Sequence, residues 1–366
     1  MKTLAKILVV VSLFCFVGWL LRPVFFPHKN LPETPELRFH FEDDLAKHAE
    51  QALQDDPNAP ENPMPVANGS TAEKYGLPAG QKVYDFPTWS VELPPVVAME
   101  ADMAGAGVLI DATNKGILWA KQAEEPVPIA SMTKLMTMLV ACEKEANDPT
   151  VNLNQAVTVS RAAASMGGTQ VWIGPGEEYL LGELMTAMLV ASANDAAYAL
   201  AEHLSSNGDV SKFVQTMNRD SRLIGMRYAR FYNPHGLPSP RPDEDNVATP
   251  LDMAVLALEL QKYPVATYMA ALEQADFQRK GADVLVMRNH NKLLGKVPGV
   301  TGLKTGFTNR AGFCLTITCE RDNRLLIAVG TGFSSKKHRD RFLTSLIEWG
   351  YTIQPPTHTD TLVGKE

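Results

Sequence analysis

Positive charge is what this chain most plainly lacks. Lys and Arg number 34 against 41 Asp and Glu, a formal charge of −7, so no cationic surplus exists to neutralise phosphates and no nucleic-acid partner is expected. Cysteine is sparse as well. Cys15 lies in an N-terminal apolar run, and Cys142, Cys314 and Cys319 are scattered without metal-ligand spacing. Cys314 and Cys319 fall in a strand-like run at a separation that points them to opposite faces, so buried thiols are the expectation, not a bridge between them. No metal or organic cofactor is implied, and no internal repeat is present. Residues 1–21 offer no Ala-x-Ala-like cleavage site, and Leu13-Phe14 before Cys15 lacks the small residues of a lipid-attachment site.

What that N-terminus does hold is Lys2 and Lys6 followed by an uncharged stretch from Ile7 to Leu21, with Trp19 and Arg22 suited to an interface. An uncleaved signal-anchor is expected over residues 1–21, with a cleaved signal peptide as the alternative; either way the body of the chain lies outside the cytoplasm. Residues 22–95 read as a Pro-rich linker, because 12 of the 25 prolines fall between Pro23 and Pro95. Within it, Leu37, Phe39, Phe41, Leu45, Ala49 and Leu53 could stripe a short helix between Glu36 and Asp56, a marginal linker helix or a docking segment.

Residues 96–352 read as one catalytic-sized domain, followed by a tail, 353–366. Gly107–Ala112 and Ile117–Ala120 flank an Asn- and Gly-containing turn and predict a hairpin. A buried helix is expected from Ser131 to about Lys144, apolar nearly all round through Val140. Further helices are expected over 182–189, 195–204 and 249–260, the last capped by Thr249 with Pro250 at its first position. Strands are expected over 300–307, 313–320 and 325–330, then a closing helix over 336–350. Early strands, a helical middle and late strands predict an α/β (α+β) fold with one antiparallel sheet built from both ends of the chain and flanked by helices.

Three clusters carry chemistry. Ser131-Met-Thr-Lys134 places a hydroxyl and an amine one helical turn apart. A serine needs a base within hydrogen-bond reach, and a lysine is one only when its surroundings keep it neutral. Ser192-Ala-Asn194 sits in the break between two expected helices, and Lys304-Thr-Gly306 on an expected strand. Each alone reads equally well as a cap, a solvated lysine or a strand end. Together they suit acyl transfer. Ser131 is the nucleophile and Lys134 the base, held neutral by burial and by the nearby charge of Lys304. Ser192 relays a proton to the leaving nitrogen. Asn194 binds the substrate amide and holds Lys134, while Lys304 and Thr305 receive a carboxylate. Gly306 leaves room for substrate along the strand edge, and the N–H groups of Ser131 and Phe307 form an oxyanion hole.

At this point the chain resembles the low-molecular-mass penicillin-binding proteins that act as serine-type D-alanyl-D-alanine carboxypeptidases, within the serine β-lactamase/DD-peptidase superfamily. The resemblance runs from about Ala104 to Tyr351. It includes Pro128–Lys134, Val190–Ala196, Asn233–Pro238, Asn289–Leu294 and, most closely, Gly302–Phe313. It implies a mainly helical subdomain beside the sheet, and removal of the terminal D-alanine from peptidoglycan pentapeptides through an acyl-enzyme on Ser131. It also implies β-lactam antibiotics as covalent inhibitors and residence at the extracytoplasmic (periplasmic) face of the cytoplasmic membrane. Thr308 joins the substrate-binding set by this resemblance. So does Arg339, which falls at the family's carboxylate-binding arginine when counted back from Trp349, with Arg341 as the alternative. His290 stands where many members carry an arginine. Longer members add a β-rich domain and an amphipathic anchor after the position of Tyr351, so here anchoring is expected from the N-terminal segment.

Two other activities fit the same clusters. A class A β-lactamase needs a glutamate between the second and third clusters to activate a deacylating water; no acid there stands in a Glu-x-x-Leu-Asn setting, and Ala193 replaces the aspartate of those enzymes. A D,D-endopeptidase opening peptidoglycan crosslinks uses the same residues. An inactive wall-binding scaffold would have lost a catalytic residue, and none is lost.

Overall fold

The computed structural model describes Lys82, residues 84–89 and residues 91–356. The anchor expected over 1–21, most of the linker, the segment 36–56 and residues 357–366 lie outside the described residues. In chain order, α1 (Pro95–Ala101) precedes β1 (Ala106–Asp111) and β2 (Gly116–Lys121). A short β3 (Val127–Pro128) and a 3-10 turn, Ala130–Thr133, lead into α2 (Lys134–Asn147). The chain continues through β4 (Ala156–Thr158), α3 (Arg161–Ala164), β5 (Glu178–Leu180), α4 (Leu181–Val190), α5 (Asn194–His203), α6 (Val210–Leu223), β6 (Val247–Ala248), α7 (Pro250–Leu260) and α8 (Pro264–Ala271). It closes with β7 (Gln274–Gln278), β8 (Val284–Arg288), β9 (Val300–Thr308), β10 (Gly312–Arg321), β11 (Arg324–Phe333) and α9 (Lys336–Thr352).

The main sheet runs β2-β1-β11-β10-β9, antiparallel throughout, and so joins strands from both ends of the domain. The β10–β11 turn places Asp322 and Asn323 at φ +49° and +57°, the left-handed pair of a two-residue hairpin that Asp and Asn tolerate best. β1 is buried along its whole length, and β10 and β11 through their middles. Such strands are covered on both faces and read as apolar runs, not as alternation. On one face Phe342, Leu343, Leu346 and Ile347 of α9 meet Leu109, Leu118, Leu315, Ile317 and Leu326 of the sheet. On the other, α7 lies against β1, β10 and β11, α8 lies against β9, and the Ala130–Thr133 turn meets β9 and β10.

The α7 start is built as its sequence predicts: Thr249 Oγ1 accepts from Asp252 N at 2.9 Å and Asp252 Oδ2 from Thr249 N at 3.1 Å, a reciprocal cap. Within the stretch expected to act as a linker, Lys82 pairs with Glu259, Tyr84 donates to Glu259 at 3.0 Å, and Trp89 is buried in the α9 core. Cys142, Cys314 and Cys319 are buried free thiols. Among the described residues no helix is long and apolar enough to cross a membrane.

Candidate active site

Ser131 lies in the 3-10 turn and Lys134 at the start of α2, so the pair straddles a change of helix type rather than sharing one α-helical turn. The Lys134 side-chain nitrogen is fully buried and makes three polar contacts: Ser131 Oγ at 3.0 Å, Asn194 Oδ1 at 2.7 Å and the His235 carbonyl at 2.6 Å. Burial pushes its pKa well below the ordinary lysine value, and the charge of Lys304 pushes it further down, against a smaller upward pull from Asp195.

Two glycines let the backbone close around this turn. A Cβ at Gly236 would lie 2.0 Å from Ala130 O, and one at Gly306 would lie 2.6 Å from Ile129 O. Gly306 was expected to make room for substrate along the strand edge; in the fold its missing side chain makes room for the nucleophile turn itself. Ala130 sits at φ +47°, a strained conformation for a non-glycine residue next to the serine.

The loop carrying Gly236 is held by Asn233 and Asn246. Asn233 Oδ1 accepts from Gly236 N at 2.6 Å, and Asn246 Nδ2 donates to Asn233 O at 2.8 Å and to Thr133 Oγ1 at 3.0 Å. This loop supplies the His235 carbonyl to Lys134, a site contact that the sequence does not reveal. The only signal was the resemblance of Asn233–Pro238 to a family segment.

Ser192 falls between α4 and α5 at φ +62° and is buried. Asn194 opens α5; besides accepting from Lys134 it donates through Nδ2 to Gly167 O at 2.7 Å. On β9, the register pairs Lys304 with Thr316, whose hydroxyl meets Met132 Sδ at 3.3 Å. Directly opposed residues share a sheet face, so Lys304 is on the face that carries the nucleophile turn. Lys304 is buried, donates to Thr305 O at 3.1 Å, and has its pKa pushed down to about 7, first by burial and then by the charge of Arg339.

Ser131, Ser192, Thr305, Gly306, Phe307 and Arg339 all line one cleft of about 420 Å³, together with His290, Lys292 and Lys336. Arg339 is buried, donates to Cys314 O at 3.2 Å and is engaged by Asp340 at 2.6 Å. Arg341, the alternative, pairs with Glu100 and does not line the cleft. Thr308 stands apart from the others: its hydroxyl accepts from Ala311 N at 3.0 Å and shapes the β9–β10 turn. His290 is driven to about 4 by burial and by surrounding lysines, so it faces the cleft neutral at pH 7.

A family model described as D-alanyl-D-alanine carboxypeptidase matches residues 95–334. The D-alanyl-D-alanine carboxypeptidase DacF of Bacillus subtilis is 36% identical over 259 residues, 70% of this chain and 64% of that protein. This chain therefore matches just under two thirds of that relative's length. A D-alanyl-D-alanine endopeptidase of Pseudomonas aeruginosa is 29% identical over 62% of this chain and 72% of that protein. Among solved structures, penicillin-binding protein D2 of Listeria monocytogenes in its ampicillin-bound form aligns with a TM-score of 0.60 at 26% identity, covering 68% of this chain and 97% of that one. Sequence match, fold and the meeting of the three clusters at one cleft agree: the chain belongs to the D-alanyl-D-alanine carboxypeptidase family of low-molecular-mass penicillin-binding proteins.

Proposed function

We propose that this protein is a serine-type D-Ala-D-Ala carboxypeptidase that trims the terminal D-alanine from peptidoglycan pentapeptides. The observation that carries the reading is the buried Lys134 amine, its pKa pushed well below the ordinary lysine value by burial and by Lys304, 3.0 Å from the Ser131 hydroxyl. Ser131 Oγ attacks the carbonyl of the penultimate D-alanine as its proton passes to Lys134. Ser192 relays a proton to the departing nitrogen, and D-alanine leaves. Water then attacks the Ser131 ester and releases the shortened peptide. Lys304, Thr305 and Arg339 hold the terminal carboxylate, Asn194 the substrate amide, and the N–H groups of Ser131 and Phe307 the oxyanion. Thr308 supports this set indirectly, through the turn that follows Phe307.

The full-length chain should label covalently with fluorescent penicillin and release D-alanine from a pentapeptide ending in D-Ala-D-Ala. Labelling that survives in Ser131→Ala overturns the nucleophile. A D,D-endopeptidase is the second reading, favoured by the Pseudomonas relative's name; opening of crosslinked dimers with pentapeptides left intact would establish it in place of the first.

The site of action is the cell envelope, with residues 1–21 as the membrane anchor and the Pro-rich stretch after them as a tether. Residues 96–352 form the catalytic domain, to which Lys82 and residues 84–89 are added because Trp89 is buried in its core. N-terminal sequencing of the protein from membranes tests the anchor, and a start near Arg22 refutes it.

A further inference from the structure

Trp172 is exposed by 61%, although it sits at φ +58°, a region that is costly for a bulky residue. Buried Asp195 keeps it there. The Asp195 carboxylate accepts from Val171 N at 3.1 Å, Trp172 N at 2.8 Å and Ile173 N at 3.4 Å. The preceding residue, Asn194, fixes the start of the same loop: its N–H donates to Thr169 O at 2.8 Å and its side chain to Gly167 O. Thr169 lines the cleft, and three residues of chain reach at most about 10 Å, so the Trp172 backbone lies within about 10 Å of a cleft residue.

The β7–β8 hairpin brings Arg279 to 6.0 Å from the indole centroid. The hairpin is fastened there by the Lys280 N to Tyr179 hydroxyl bond at 3.2 Å and by Phe277 stacked on Tyr179 at 5.1 Å. Among the described residues no carboxylate pairs with Arg279, whose guanidinium meets only Asp283 O at 3.3 Å. Packing alone gives no reason to hold a strained, solvated tryptophan beside an arginine without a counter-ion, on a loop tied to the catalytic asparagine.

We propose that Trp172 and Arg279 form a subsite for the upstream, acidic part of the stem peptide, the indole covering its aliphatic portion and the guanidinium pairing with a free carboxylate. The proposal rests on the carboxypeptidase reading for its substrate class. It is tested on the full-length chain with two substrates: an acylated tripeptide ending in D-Ala-D-Ala, and a complete pentapeptide with its upstream γ-linked glutamate. Trp172→Ala and Arg279→Gln should each lower the ratio of kcat/KM for the pentapeptide over the tripeptide about tenfold, through KM, as befits a cation–aromatic anchor. An unchanged ratio, with both substrates falling together, overturns the subsite and makes the loop a support for Asn194.

A second measurement needs no turnover. The tripeptide fragment lacking both D-alanines should change the intrinsic fluorescence saturably, and the change should vanish in Trp172→Phe. No saturable change overturns the subsite even where D-alanine release is normal. Saturable binding without any D-alanine release overturns the carboxypeptidase reading and leaves the subsite standing.

Discussion

Lys304 is a buried amine whose pKa falls to about 7 through burial and the neighbouring Arg339 charge, so its charge is lost within the working pH range. If it anchors the terminal carboxylate, recognition of that carboxylate must weaken as pH rises through about 7. The charged fraction of a group with pKa of about 7 drops from about 90% at pH 6 to about 1% at pH 9. The comparison to make is kcat/KM for a pentapeptide against its C-terminal amide from pH 6 to 9, because kcat/KM reports the free enzyme. Both substrates share the Ser131 and Lys134 chemistry, and their ratio isolates the carboxylate. The acid-over-amide ratio should fall at least about tenfold across the window, levelling where Arg339 holds the carboxylate alone. Unfolding does not mimic this result. Lys134 and Lys304 both have folded-state pKa values below their unfolded ones, so the unfolded chain binds more protons and both groups make stability rise with pH, Lys304 between about 7 and its unfolded value. A ratio that stays flat from pH 6 to 9 would refute Lys304 as the carboxylate anchor.

Lys134→Met should retain the fold, read by circular dichroism, and slow acylation by fluorescent penicillin about 10²- to 10⁴-fold, the usual share of a general base; an unchanged acylation rate would move the base elsewhere. Gly236→Ala places a Cβ 2.0 Å from Ala130 O at a φ of +83°, so penicillin labelling should be lost together with at least about 3 kcal/mol of stability in urea denaturation. Asp340→Asn removes the charge that occupies the buried Arg339 and should lower KM for free-acid substrates about threefold with kcat unchanged, because the guanidinium loses its charged partner while Asn still offers a hydrogen-bond acceptor. Leu346→Ala, in the α9 core, should cost about 2–5 kcal/mol and lower the melting temperature without altering the pH profile.

The sheet was legible in the sequence because its strands are long apolar runs ended by turn residues, as at Asp322-Asn323. The outlying β7–β8 hairpin was not. Its burial alternates, with Phe277 and Met287 inward, but Val284 and Val286 are apolar on the exposed face, so the second strand shows no alternation of polarity to read. Helix α6 escaped for a related reason: only Phe213, Met217, Asp220 and Ser221 of its fourteen residues are buried, and two of those four are polar. Prolines dominate the stretch before residue 95, where Trp89 is nonetheless buried in the α9 core. Proline count reports backbone stiffness and says nothing of whether Trp89 finds a core.

At the site, side chains with distinctive chemistry were legible and backbone groups were not. Ser131, Lys134, Ser192, Asn194, Lys304 and Arg339 announce themselves as hydroxyl, amine, amide and guanidinium. The His235 carbonyl contributes the shortest of the three contacts to Lys134, yet every residue carries a carbonyl and none is marked in the sequence as the one that will be used. That carbonyl also bears on the chemistry. An acceptor at 2.6 Å stabilises an ammonium, whereas burial and Lys304 oppose it. Lys134 is therefore poised rather than simply neutralised: it can take the Ser131 proton because the charge it acquires meets oxygens already in place, from Asn194 and His235. Loss of the carbonyl's orientation, through the Asn233–Asn246 bonds that set it, should slow proton acceptance while leaving carboxylate binding intact. Asn246→Ala is then expected to reduce kcat with KM nearly unchanged. A rise in KM with kcat preserved would mean that the loop serves substrate binding instead.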